Sequence, residues 1–209
     1  MHPSFQPLLD SLSTLEFEEF GSLALTAVTW AGNDAALHLV VRQPDRPYEP
    51  WRLDCEAMRD SRIVCEPTFH DLWIETEHPL LLPHAEPAAE LYFSSRPADP
   101  GAAVAELIDA HRAVVGEWFD CTHFFNLGPY GSLRRMLEGG HGKLAAGPLP
   151  LIERYADVLR RAGVKVSSPP ARPPVWWDGV NWVPQSIPLY ALILGQSFVL
   201  SPILTAERM

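Results

Sequence analysis

Lysine is nearly absent from this sequence, and so is any segment that would carry the chain into or across a membrane. Only two of the 16 basic residues are lysines, which is typical of a GC-rich genome and favours a bacterial source. The opening Met1-His2-Pro3 is not a basic segment followed by an apolar one, so no secretory leader is expected. The longest apolar stretch, 189–204, is interrupted by polar residues and is shorter than the ~20 residues that span a bilayer. We therefore expect a cytoplasmic protein with no membrane contact.

Cysteine is also scarce, with three residues that form neither a disulfide framework nor a zinc-binding motif. Cys55 and Cys65 fall on neighbouring strands of one expected hairpin, where a disulfide is conceivable but disfavoured by a reducing compartment. His70, His78 and His84 lie near Cys65, but their spacing matches no known set of metal ligands. No metal or other cofactor is expected.

The motifs that usually identify an enzyme are missing. The sequence contains no Gly-x-Ser-x-Gly, His-Glu-x-x-His or Gly-x-Gly-x-x-Gly. The glycine-rich segment 139–143 departs from a phosphate-binding loop, because Leu137 stands where glycine is needed and Leu144 where Ser or Thr would bind magnesium. We interpret 139–147 as a flexible connection and a candidate lid.

Cys121 and His123 are the candidate catalytic pair, since a cysteine beside a histidine can serve as nucleophile and base. Sequence adjacency supports this weakly, because most such pairs meet in space from distant positions. Cysteine is also frequently buried as an apolar residue. His111 lies on the apolar stripe of its expected helix and is predicted to be a hydrogen-bonded core histidine. The sequence therefore favours a protein that is not an enzyme.

The net charge of −10 is concentrated in one half of the chain. Residues 1–100 carry 17 acidic residues against 6 arginines, whereas residues 101–209 carry 9 acidic and 10 basic residues. A nucleic-acid-binding protein needs a basic surface to neutralise phosphates, and none is visible here. We expect no nucleic-acid partner.

Hydrophobic periodicity predicts an α+β fold in a single domain, 1–209. Alternation from about Leu15 to Ser95 predicts an antiparallel meander of six or seven strands. Helical spacing follows Asp99, a plausible N-cap, and continues in segments to about residue 163. Two C-terminal hairpins are centred on Asp178-Gly179 and Gly195-Gln196. The expected sub-regions are a sheet (1–98), helices (99–166) and hairpins (175–206), the last either extending the first sheet or forming a second one.

The first of these hairpins carries an unusual number of aromatic residues. A two-residue turn at Asp178-Gly179 would place Trp177 opposite Val180 and Val175 opposite Trp182, on one face. That face is either part of the core or an exposed anchor for a partner.

Strand phase gives the main functional prediction. In three expected strands the carboxylates occupy alternate positions and the apolar residues the positions between them, so the carboxylates should share the outer face of one sheet. The six residues are Glu16, Glu18, Asp54, Glu56, Glu75 and Glu77. Such a face would attract a basic partner. A plain solvated face is the main alternative, and a divalent-cation site is weaker because no calcium-loop pattern occurs.

Three functional hypotheses follow. The favoured one is a non-enzymatic module that binds a basic protein through this acidic face, as neutralising proteins of the immunity or antitoxin type do. The second is an enzyme that uses Cys121 or a metal site. The third is a small-molecule-binding domain with a pocket between the sheet and the helices, closed by 139–147.

Overall fold

The computed structural model describes residues 2–64, 66 and 68–209. The predicted α+β class with antiparallel sheets is confirmed. The strands are β1 (Ser22–Ala31), β2 (Asp34–Arg42), β3 (Glu49–Glu56), β4 (Asp60–Arg62), β5 (Trp73–Glu75), β6 (Ala88–Phe93), β7 (Gly142–Pro148), β8 (Val166–Ser167), β9 (Val175–Trp177), β10 (Trp182–Pro184), β11 (Tyr190–Leu194), β12 (Ser197–Ser201) and β13 (Ile203–Arg208). The helices are α1 (Gln6–Leu12), α2 (Leu15–Phe20), α3 (Leu82–Ala85), α4 (Pro100–Val115), α5 (Leu133–Gly139) and α6 (Leu149–Arg161), with 3₁₀ turns at Pro3–Phe5 and Pro79–Leu81.

The chain divides into two compact units, each with its own apolar core. Unit 1 comprises Met1–Leu81 and Ser186–Met209, and unit 2 comprises Leu82–Gln185. These boundaries do not coincide with the three expected sub-regions. The assignment of the whole chain to a single domain stays a prediction.

Unit 1 is built from two four-stranded sheets. The first has the order β1-β2-β3-β13 and the second the order β4-β12-β11-β5. In β3 the alternation is as predicted, with Leu53 and Cys55 buried and Arg52 and Glu56 exposed. Inward side chains of both sheets, together with Phe5, Leu8 and Phe17 from the N-terminal segment, form one core, as expected for two apolar faces packed on each other.

The strand predicted at 15–18 is wrong, because this segment is helix α2. The Thr14 hydroxyl accepts a hydrogen bond from the backbone N–H of Phe17, which caps the helix, and Phe17 is 3% exposed. Glu16 and Glu18 therefore cannot share a strand face. Two residues apart on a helix, they point in different directions.

The predicted meander is only partly formed. Strands β1 to β6 give six strands in the N-terminal region, and the β1–β2 hairpin turns at Gly32-Asn33. They are distributed over three sheets, however, so they do not form one continuous meander. The C-terminal strands join both sheets of unit 1, since β13 pairs with β3 while β11 and β12 form the centre of the second sheet.

Unit 2 packs helices against a three-stranded sheet of order β7-β6-β8. The expected helical region contains α4, α5 and α6, but strand β7 also lies within it. The predicted N-cap is confirmed, since Asp99 accepts hydrogen bonds from Gly101 and Ala102 at the start of α4, and Gly140 takes the left-handed conformation after α5. The predicted lid is wrong. Residues 142–148 are strand β7, paired with β6 along its length, and Leu144 and Ala145 are fully buried.

The aromatic hairpin of unit 2 has a different register from the predicted one. Trp177 pairs with Trp182 across a four-residue connection, because Asp178 accepts hydrogen bonds from the N–H groups of Val180 and Asn181. The two indole rings lie 5.7 Å apart and are 47% and 68% exposed. This face of the hairpin is therefore exposed and not core.

Candidate functional site

The structure distributes the six predicted carboxylates over separate surfaces of unit 1, so the prediction that they share one sheet face is wrong. Glu16 and Glu18 are on α2, Asp54 and Glu56 are on β3 of the first sheet, and Glu75 is on β5 of the second sheet. Glu77 lies after β5 in a bend. The six carboxylates therefore do not form one continuous face, although Glu18 and Glu75 line the same groove.

Asp54 and Glu56 lie on the outer face of the first sheet, beside a shallow depression of about 460 Å³. Arg52 lines the same depression and forms an ion pair with Asp54 at 2.9 Å. A third carboxylate, Asp34, accepts a hydrogen bond from the backbone N–H of Ala57 at 2.7 Å. Two of the three carboxylates thus already have partners within the protein, and Glu16, on α2, is likewise paired with Arg46.

Glu18 and Glu75 line one groove of about 530 Å³, which we call the acidic groove. Helices α1 and α2 contribute to one side of it, and residues 70–75 form the other. Its apolar lining includes Leu9, Leu12, Phe17, Leu72, Trp73 and Ile74. Phe17 and Leu72 are nearly buried, whereas Trp73 is 54% exposed. The groove therefore offers solvent an apolar surface that the fold leaves partly uncovered.

Four carboxylates surround this apolar surface: Asp10, Glu18, Asp71 and Glu75. No lysine or arginine lines the groove. Within the described part of the chain, none of these four carboxylates forms an ion pair with a lysine or an arginine. Asp10 accepts one hydrogen bond, from the Gln6 amide at 2.7 Å. Burial lowers the pKa of nearby His78, and the charge of Glu75 opposes that effect. The groove thus concentrates negative charge without a lysine or arginine, and the basic side chain that does line it, His70, bonds to the backbone carbonyl of Gly21.

Asp10 and Asp71 were missed by the sequence analysis. Asp71 directly precedes the expected strand that carries Glu75, and Asp10 lies on α1, so neither fell within the three alternating strands. The tertiary structure is what brings Asp10 and Glu18 to the same groove as Asp71 and Glu75. The one available signal is that Asp10 follows Gln6 by one helical turn within an apolar helix.

Cys121 and His123 lie in unit 2, in the turns that follow α4. Cys121 is half-buried and next to Asp120, whose pKa is lowered mainly by hydrogen bonds from the Thr122 hydroxyl and N–H. The exposed His123 ring packs against Phe119 and Phe124, 5.1 and 4.7 Å away, and no hydrogen bond joins it to Cys121 among the described residues. A nucleophilic cysteine is activated by a base or a cation that stabilises its thiolate, whereas the Cys121 side chain bonds to the Asp120 carboxylate, whose negative charge disfavours the thiolate.

His111 is a core histidine with both ring nitrogens hydrogen-bonded, as predicted. Its side chain is fully buried, its Nε2 donates to the backbone carbonyl of Phe119 at 3.2 Å, and its Nδ1 accepts from the Tyr155 hydroxyl at 2.7 Å. This assignment of the tautomer follows from the carbonyl, which can only accept. Burial, which lowers the pKa of His111, favours the neutral ring that this arrangement requires.

Unit 2 is expected to lose stability on acidification through His111. Burial lowers the pKa of His111, as do the charges of His123 and Arg112, while the Phe119 hydrogen bond and Asp120 oppose them. As the pH falls, the unfolded chain binds a proton at this histidine before the folded protein does. The contribution of neutral His111 to the free energy of unfolding is therefore complete above the ordinary pKa of 6.5 and is lost as the pH falls through the lowered pKa of the folded state.

Urea unfolding at about pH 7.5 and about pH 5.5 measures this effect. The wild-type protein should lose more stability between the two pH values than the variant His111→Gln, which keeps a donor and an acceptor but does not titrate. Equal losses would show that His111 does not contribute.

The remaining candidates do not form a site. Within the described residues, no group of three His, Cys, Asp or Glu side chains is close enough to hold a metal ion. His70 bonds to the carbonyl of Gly21, and His78 accepts from the N–H of Leu80. Cys65 lies outside the described residues. The hairpin expected to bring it to Cys55 is not formed, because β3 pairs with β2 and β13, and burial raises the pKa of Cys55 to about 12.

Comparison with known proteins adds no identification. No protein-family model matches the chain, and neither the curated proteins nor the solved structures contain a match. Among the described residues, no helix is both long and apolar enough to cross a membrane.

Proposed function

We propose that this protein is a non-enzymatic binding module that holds a basic protein partner in the acidic groove of unit 1. The observation that carries the proposal is the groove itself: four carboxylates around an apolar surface, with no lysine or arginine among the lining residues. An acidic surface that only faces water would need no apolar residues at its base, which here are the apolar lining residues of the groove and are called its apolar floor.

The two parts of the groove supply different contributions to binding. The apolar floor and the half-exposed Trp73 offer area that a partner can cover, which is the main source of affinity at interfaces. The carboxylates attract and orient a cationic partner, which raises the association rate and excludes acidic proteins. The depression at Asp54 and Glu56 supports this role less well, because Arg52 already neutralises part of its charge.

A neutraliser of the immunity or antitoxin type is the finer form of this proposal. Such a protein covers a basic functional surface of its target, and the −11 balance of residues 1–100 suits that task. This analogy with immunity and antitoxin proteins is based on the charge of the chain and on the acidic groove. It is not based on the fold, because a fold alone does not define a function.

Affinity capture from the native host tests the proposal with a matched pair of variants. The groove variant carries Glu18→Gln, Asp71→Asn and Glu75→Gln. The control variant carries Glu117→Gln, Glu153→Gln and Glu207→Gln, which removes the same charge from exposed positions elsewhere. The wild-type protein and the control variant should retain the same basic protein, which high salt releases. The groove variant should bind it about 100-fold more weakly, since three carboxylates at about 1 kcal/mol each contribute about 3 kcal/mol at close range.

Two results would contradict the proposal. Retention of the same proteins by the groove variant would show that the groove is not the binding surface. Equal loss from the control variant would show that only net charge matters.

A further inference from the structure

One side of the acidic groove is formed by strand β5 and the residues that precede it. Strand β5 is the outermost strand of the second sheet and pairs with β11 alone, through Trp73–Ile193, Ile74–Leu192 and Glu75–Ala191. Within the described residues, the backbone groups of β5 make no hydrogen bond to any other segment. One edge of β5 therefore has unpaired donors and acceptors.

The acidic groove follows this free edge. All three residues of β5, together with the preceding residues 70–72, line it. Successive side chains of a strand point to opposite faces, and Ile74 packs against the core of unit 1 on the face opposite to that of Trp73 and Glu75. A groove that contacts residues of both faces must run along the edge between them.

We infer that the partner enters the acidic groove as an extended basic segment that pairs with the free edge of β5. This inference rests on the proposed function. Strand addition to an exposed edge obtains affinity from main-chain hydrogen bonds and selectivity from alternate side chains. Here one row of side chains would be cationic and directed to the carboxylates, and the other apolar and directed to the floor. Trp73 offers a cation an aromatic ring next to the Glu75 carboxylate.

The charge around this edge also determines which strand it can accept. An exposed edge tends to pair with any available strand, and charged residues beside it are a common protection. The acidic residues Asp10, Glu18, Asp71 and Glu75 would repel a second copy of the same edge while attracting a basic strand. The occupant is therefore an alternating basic and apolar segment of another protein, and not a copy of this chain.

A synthetic probe tests the inference on the full-length protein. The peptide acetyl-Lys-Val-Lys-Val-Lys-Val-amide has the required alternation. Two further peptides carry methyl groups on backbone nitrogens, one peptide at all three lysines and the other at all three valines. The N–H groups of alternate residues point to opposite edges of a strand, so one methylated peptide blocks each edge. Titration calorimetry should show binding of the parent peptide, and at least one methylated peptide should bind about tenfold or more weakly. Hydrogen exchange of at least one β5 amide should slow when the parent peptide is bound.

The possible results separate this inference from the proposed function. If both methylated peptides bind like the parent and the groove variant binds none of them, the groove captures charge but strand pairing is wrong. If the parent peptide does not bind, strand docking is wrong, and capture of a basic host protein still decides the proposed function. If β5 amides slow and one methylated peptide fails, strand addition is supported.

Discussion

Replacing Tyr155 by phenylalanine is expected to lower the free energy of unfolding by about 1–3 kcal/mol. The substitution keeps the ring, which stacks on Phe125 at 4.7 Å, and removes only the hydroxyl that donates to Nδ1 of His111. Both side chains are fully buried, so no water replaces the lost donor. The cost is that of an unsatisfied polar group in a low-dielectric core.

Urea unfolding monitored by circular dichroism measures this effect, and Tyr130→Phe serves as the control. The Tyr130 hydroxyl also bonds to one partner, the carbonyl of His141, but at 3.4 Å and near the surface. Its loss should cost less than about 0.5 kcal/mol. Similar costs for both substitutions would mean that the buried pair with His111 contributes nothing beyond a surface hydrogen bond.

Local signals in the sequence were sufficient for much of unit 2. The cap at Asp99, the glycine after α5 and the stripe of α6 each specify a helix boundary or face without reference to distant residues. Strand β7 was missed for the opposite reason. Its sequence, Gly-Lys-Leu-Ala-Ala-Gly-Pro, has few residues with high strand propensity, and pairing with β6 imposes its conformation.

The candidate site depended on information that the sequence does not contain locally. A four-residue alternation at 15–18 fits a strand and a short amphipathic helix equally well, and the cap Thr14 followed by two glutamates in the first turn was the signal for the helix. Glu18 and Glu75 line one groove because β5 pairs with β11, more than a hundred residues later in the chain. Periodicity in the first hundred residues cannot reveal that pairing.

The second large prediction concerns Gly21, which lies between the end of α2 and the start of β1. Its backbone angles, φ −80° and ψ 164°, suit any residue, so conformation does not require glycine here. The requirement is space. A Cβ atom at this position would lie 2.6 Å from Cγ and 2.7 Å from Cα of Phe17. Phe17 is 3% exposed within the core, so it has little room to move.

Gly21→Ala should therefore cost about 3 kcal/mol of unfolding free energy, at the upper end of the range for overpacked sites. The strain should also shift α2, which carries Phe17 and Glu18 into the acidic groove, so the variant should bind the basic peptide more weakly at temperatures where it remains folded. Gly128→Ala is the matched control, since its added Cβ meets nothing within 4 Å. That control should be neutral or stabilised by a few tenths of a kcal/mol, about the gain from a less flexible unfolded chain. A Gly21→Ala variant as stable as Gly128→Ala would show that α2 can move freely, and the groove would then have no fixed side at Glu18.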